Sequence, residues 1–338
     1  MAISLRLLNM YKAIQKIFTL LLVWGVLLPL APAIGAETWP APNKTIVIIN
    51  PFAPGGAVDA FTRPIAKQLT TQLGDSVIVD NKSGAGGTLG AAIAAKMAPD
   101  GYTWFGGAVH HTIAQSLYPN LSYDITKDFE PIAVLGSVPQ VIVINPNKFG
   151  TTDLKTIIAI IQKNPGKYNY GSAGNGTSQH LAGELFKQLT KTDITHVPYR
   201  GAGPALQDLV AGQLDMMFDT LAAAGPFIKN GQIIAVAVAA PKRVEGFPDI
   251  PTAAEAGLPN YNVASWYALW GIKGTNPAIL DKMAAAVQQA LNSDEIKERW
   301  IAMGASAPKM SRVEFGKFVN QEVIRWRQVV KTSNIHLD

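Results

Sequence analysis

Thr45-Ile46-Val47-Ile48-Ile49-Asn50-Pro51-Phe52-Ala53-Pro54-Gly55-Gly56-Ala57-Val58-Asp59 compresses a strand, a glycine-rich turn and the start of a helix into one stretch. The β-branched run predicts a strand buried on both faces, as in a parallel sheet. Phe61, Ile65 and Leu69 then recur four apart, which predicts a helix over 57–73, with a bend at Pro64. Val77-Ile78-Val79 reads as a second strand, Leu89 to Met97 as a small-residue helix after a second glycine-rich turn, and Tyr102 to Gly106 as a third strand. This βαβαβ run specifies a parallel sheet flanked by helices.

The same build returns further along. Strand Tyr168 to Tyr170 leads through Gly171-Ser172-Ala173-Gly174-Asn175-Gly176-Thr177 into a helix over 178–189. Strands at 195–198, 215–218 and 234–239 and a helix at 204–212 complete a second α/β unit. Apolar runs at 132–135 and 140–144 read as two strands at the crossover, and Trp266 to Gly271 as a strand returning to the first unit. The C-terminal part is helical, with Ser311 and Glu314 forming a capping box. The expected organisation is discontinuous: residues 37–139 and 262–338 in domain 1, and 140–261 in domain 2. Ligands of such sheets bind at the carboxyl ends of the strands, in the cleft between the two units.

Residues 1–36 read as a signal peptide. Arg6, Lys12 and Lys16 precede an apolar run from Ile17 to Leu30, and Ala33 and Ala36 offer cleavage points. The run is shorter than the roughly 20 residues of a membrane span. The expected location is therefore the periplasm. The net charge of +5 falls to +2 without those three basic residues, which gives no electrostatic case for nucleic acid or a membrane surface. The chain has no cysteine, so disulfides, a thiol nucleophile and thiolate metal ligands are excluded.

Both glycine-rich loops turn backbone N–H groups toward a ligand, and the helix behind each adds unsatisfied N–H groups at the positive end of its dipole. Phe52, Ala53, Gly55 and Gly56 form one candidate cradle, and Ser172, Gly176, Thr177 and His180 the other. Asp59 either braces its own loop or contacts the ligand. His180 either packs behind its loop or reaches the ligand. His110 and His111 follow the third strand; on a strand only one would face the cleft, and His111 is the candidate. Tyr199 lies in a third strand-to-helix turn, where Arg200 reads as a solvated charge or a carboxylate clamp. Asp219 ends a strand and is placed to accept hydrogen bonds from a polar ligand group. No metal-binding spacing accompanies the histidines, no cofactor motif is complete, and Gly-x-Ser-x-Gly is absent around Ser172. An exported hydrolase using Ser172, His180 and Asp219 is the enzymatic alternative.

Taken together, Pro-Phe-x-x-Gly-Gly-x-x-Asp at 51–59, Lys82-Ser83-Gly84-Ala85-Gly86-Gly87, Asn169-Tyr170-Gly171-Ser172 to His180, His196-Val197-Pro198-Tyr199-Arg200-Gly201 and Asp249 to Gly257 resemble the Bug-type solute-binding proteins of tripartite tricarboxylate transporters. The resemblance implies a type II periplasmic-binding-protein fold of the Venus-flytrap kind, with two mainly parallel α/β domains. It also implies a monomer without enzymatic activity or cofactor. Such a protein captures a small carboxylate and delivers it to the permease subunits of the transporter, or senses it for a membrane partner.

Overall fold

A computed structural model describes residues 39–333. The expected signal peptide, 1–36, lies outside the described residues. The fold is carried by the unit Pro42–Asp338. In chain order, β1 (Ile46–Asn50), α1 (Ala57–Leu73), β2 (Val77–Asn81), α2 (Thr88–Ala94) and β3 (Thr103–Ala108) form the expected βαβαβ run. β1 pairs parallel to β2 and to β3. Ile46, Ile48 and Ile49 are buried, as a continuous apolar strand requires, and Phe61, Ile65 and Leu69 seat α1 on the sheet. The helix assignment continues through Pro64.

Next come α3 (His110–Leu117) and β4 (Phe129–Ile144). α3 was not expected. His, Thr and Ser are mediocre helix formers and Val109 offers no side-chain cap, so only the buried pair Ile113 and Leu117, one turn apart, carries its signal. β4 is one strand of 16 residues where two were expected. Gly136 and Pro139 read as a break, but Gly136 is there for packing: a Cβ would overlap the Phe61 ring.

The second half follows with α4 (Leu154–Gln162), β5 (Asn169–Ser172), α5 (Ser178–Thr190), β6 (Thr195–Pro198), α6 (Ala202–Val210), β7 (Met216–Thr220), α7 (Leu221–Lys229) and β8 (Ile234–Val238). β9 (Ala264–Ile272) returns, and α8 (Pro277–Asn292), α9 (Asp294–Ala302) and α10 (Arg312–Ser333) end the described chain. β5 pairs parallel to β6 and β7. The parallel reading thus holds within β1–β3 and β5–β7, and the crossover strands run antiparallel. β9 pairs antiparallel with β3 and with 129–139 of β4, while 140–144 of β4 pairs antiparallel with β7 and β8. β4 therefore belongs to two sheets and changes partners between Pro139 and Gln140.

Each sheet has its own core. Phe105, Trp270 and Phe315 lie in the first, and Ile142, Tyr170, Phe186, Phe218 and Tyr261 in the second. Each such fully buried side chain stabilises the fold by roughly 1.5–3 kcal/mol through removal of apolar surface from water. The capping box of α10 is closed both ways: Ser311 N–H donates to Glu314 Oε2 at 2.8 Å and Glu314 N–H to Ser311 Oγ at 3.2 Å. Thr252 and Glu255 bond reciprocally in the same way, Thr252 N–H to Glu255 Oε2 at 2.7 Å and Glu255 N–H to Thr252 Oγ1 at 3.1 Å, and close a turn.

Candidate functional site

The carboxyl ends of β1, β5 and β6 each feed a turn and then a helix N-terminus, and β7 runs straight into α7 with Thr220 as its N-cap. At the first, Gly56 is the N-cap of α1 in extended conformation, and it supplies no capping side chain. Gly56, Ala57 and Val58 are buried. The first N–H groups of a 17-residue helix thus lie away from bulk water with no side-chain cap. Asp59 is the one acid in that first turn, and it is turned to the loop. Its oxygens accept from Asn50 Nδ2 at 3.1 Å, Gly55 N–H at 3.3 Å and Arg63 Nε at 2.7 Å. Asn81 Nδ2 donates to the Phe52 carbonyl at 2.7 Å, and Arg63 Nη2 to Asn81 Oδ1 at 2.8 Å. Of the two roles open to Asp59, bracing is the one its hydrogen bonds serve.

This loop is packed against the turn before α6. Ala53 N–H donates to the Arg200 carbonyl at 3.2 Å. A Cβ on Gly203 would overlap the Pro54 carbonyl oxygen, and one on Gly86 would overlap that of Asn175, so both approaches require glycine. Tyr118 Oη donates to the same Asn175 carbonyl at 2.8 Å. Arg200 presents its carbonyl here, and its side chain is exposed. The Tyr199 hydroxyl donates to Asp208 at 2.6 Å; burial, with the Asp208 charge beside it, pushes that hydroxyl up to about 12.

The second loop is occupied by its own side chains. Thr177 Oγ1 accepts from His180 N–H at 3.4 Å and caps α5. Gly176 N–H donates to His180 Nδ1 at 3.1 Å. The His180 ring stacks on His196, with centroids 4.1 Å apart. Ser172 is fully buried and bonds His196 Nε2 at 2.6 Å and the Gly174 backbone. Burial, with the His180 ring alongside, lowers His196 to about 3. The imagined grouping of Ser172, His180 and Asp219 is not assembled, since Ser172 pairs with a different histidine and Asp219 accepts from Gln179 and Thr220.

Of the two adjacent histidines, His110 reaches the second loop. Both lie in the first turn of α3 instead of on a strand. His110 Nδ1 accepts from Ser178 N–H at 3.0 Å, and its ring meets Phe52 edge-on at 5.2 Å. His111, the expected candidate, is instead turned toward Ala108 and the Phe105 ring in the first sheet. Burial is the main cause that lowers His110 to about 3 and His111 to about 4, so both are neutral at physiological pH. A neutral His110 with Nδ1 as acceptor is what the Ser178 contact demands.

Behind the second loop a cavity of about 1190 Å³ runs between α5 and α10, with Ser178, His180, His196, Ala264 and Trp326 among its walls. No residue of 51–59 lines it. Asn50, Asn81 and Arg63 had no place in the site read from sequence, and of the histidine pair His111 stood there in place of His110. Parallel pairing of β1 with β2 brings Asn50 beside Asn81, and that register was the only available signal.

Two sheets sharing a crossover strand, with glycine-built loops meeting between them, make the two-domain architecture of periplasmic solute-binding proteins. The family model described as "Tripartite tricarboxylate transporter family receptor" matches residues 61–335, and the chain belongs to that family. The fold is similar to that of periplasmic binding protein BugD, at 32% identity and a TM-score of 0.84, covering 87% of this chain and 99% of that one. It is also similar to MatC from Rhodopseudomonas palustris with bound malate, at 36% identity and a TM-score of 0.80, covering 86% and 99%. A second R. palustris protein, solved with adipate, matches at 33% identity and a TM-score of 0.83, covering 87% and 99%.

Proposed function

We propose that this chain is an extracytoplasmic receptor, exported by its N-terminal signal, that seats one carboxylate of a small organic acid on the N-terminus of α1. It then delivers the acid to the membrane permease of a tripartite tricarboxylate-type transporter, acting as a monomer. The reading rests on one observation above the others: the first turn of α1 is buried, carries no side-chain cap and has its own acid drawn aside by Asn50 and Arg63. A carboxylate is the group that such N–H donors and dipole favour. A hydrogen bond to a charged group contributes roughly 1.5–3 kcal/mol, and micromolar affinity needs about 8 kcal/mol net. Several donors must act together, and the loops before α1 and α6 closing on one another supply them. The malate and adipate of the R. palustris relatives are small carboxylates, which supports the same class here.

The lobes divide at 139/140 and 261/262, with 37–139 and 262–338 forming one and 140–261 the other. The partner change of β4 at Pro139 and Gln140 supports the first of these borders. A thermal-shift panel of mono-, di- and tricarboxylates beside their primary amides tests the ligand class, because a ligand bound only by the native state raises Tm. Acids are expected to stabilise and amides to have no effect. Stabilisation by amides or amines with none by acids would sink the reading.

A further inference from the structure

α3 holds the second loop at both of its ends. At the first, His110 Nδ1 accepts from Ser178 N–H at 3.0 Å. At the last, Tyr118, the residue that ends the helix, donates its hydroxyl to the Asn175 carbonyl at 2.8 Å. The same hydroxyl lies 3.2 Å from the Ala85 carbonyl, so one proton serves two acceptors. Those carbonyls come from distant stretches of chain, Ala85 from the turn before α2 and Asn175 from the loop before α5. Neither can bond the other, since both only accept, and the Tyr118 hydroxyl is the donor that joins them. Burial raises the Tyr118 pKa above its ordinary value, which keeps that proton in place at physiological pH.

The packing around this contact is close. A Cβ on Gly86 would overlap both the Asn175 carbonyl oxygen and the Tyr118 hydroxyl, and one on Gly174 would come within 3.2 Å of Gly86 Cα. The contact also leads to the carboxylate seat. A Cβ on Gly87 would overlap the Phe52 ring, and the His110 ring meets Phe52 edge-on at 5.2 Å. Phe52 therefore lies against elements from both ends of the grip. α3 is itself held firmly, because Ile113 and Leu117 are buried in the first core. In the division at 139/140, Tyr118 and Ala85 fall in one lobe and Asn175 in the other. A hydrogen bond made only while the two are together stabilises the closed form and adds nothing to the open one.

Resting on the two-lobe receptor reading above, we propose that Tyr118 is a clasp: a positioning residue whose hydroxyl holds the lobes together by bonding protein carbonyls, and so sets how fast a captured acid leaves. Entry proceeds through the open form, in which the clasp is not made. Its removal therefore acts on koff and spares kon.

Two measurements test this. The chain has no cysteine, so Asn120→Cys and Gln188→Cys, exposed positions on either side of the clasp, take spin labels at those points alone. In acid-free protein, pulsed dipolar spectroscopy is expected to show a larger share of long distances when Tyr118→Phe is added. An unchanged distribution would overturn the clasp. The second measurement is stopped-flow kinetics with malate and adipate, the acids bound by the R. palustris relatives. Tyr118→Phe is expected to raise koff about fivefold, the size of one intramolecular hydrogen bond, with kon and Tm little changed. An unmoved koff, or a loss of affinity carried by kon, would overturn the clasp. The distance measurement uses no acid, so it decides the matter even where neither acid binds. Failure of both acids to bind the unaltered protein would count against the carboxylate seat alone.

Discussion

The loops at 51–59 and 172–180 share a plan and differ in who occupies the helix end. The first ends in Gly56, which has no side chain to offer, and its helix stays uncapped. The second ends in Thr177, which caps α5, while His110 takes the Ser178 N–H and His180 the Gly176 N–H. Glycine-rich turns before helices are therefore not equivalent anion sites. The residue at the N-cap decides whether the donors remain available to a guest.

The sharpest way to break that contrast is to give the first loop the second loop's solution. Gly56→Asp places a capping carboxylate on α1 in a backbone conformation that suits an N-cap. Carboxylate binding is expected to fall by about a hundredfold or more, about 2.7 kcal/mol, while Tm holds or rises. Calorimetry and a melting curve read both arms, and retained affinity would move the seat away from α1.

A second effect comes from the adjacent histidines of α3, of which His110 serves the other loop. His110 and His111 are held neutral in the fold, with values lowered to about 3 and about 4, and regain ordinary values near 6.5 when unfolded. The unfolded state thus binds more protons below about pH 6.5, and stability falls as pH drops through that value and on toward the folded values. Asp219, raised to about 6, works in the opposite sense between about 6 and 4. His110, His111 and Asp219 together are expected to cost about 2 kcal/mol from pH 7.5 to 5.5, and His196, lowered to about 3, adds to the loss in the same direction. Chemical denaturation at the two pH values checks it, and His110→Gln is expected to reduce the slope.

The smallest effect concerns the cap itself. Thr177→Ala removes the side-chain acceptor of α5 and is expected to cost about 1 kcal/mol of stability. Its effect on affinity is expected to be small beside that of Gly56→Asp. The reverse ranking, measured by melting and calorimetry on the same samples, would mean that the second loop is the principal seat.

Much of this contrast is legible in the sequence itself. β1, its turn and α1 follow from a β-branched run, two glycines and a four-residue apolar spacing, all local signals. Gly56 against Thr177 can also be read directly. What escaped depends on residues distant in the chain. The brace on Asp59 needs the β1–β2 register that brings Asn81 to Phe52. The choice between His110 and His111 needs α3, whose sequence is a weak helix former, so the two rings diverge around a helix turn instead of across a strand. The continuity of β4 was hidden because Gly136 answers to Phe61 and not to a turn.

β4 passes from one sheet to the other without leaving extended conformation, and β9 lies antiparallel beside it up to Ala264. The connection between the two sheets is thus a hydrogen-bonded ribbon. Its softest rung is Pro139, which has no N–H to contribute opposite Ala264. Were one sheet to turn against the other, this ribbon is what would have to twist, so its residues would bear on release of a guest they never touch.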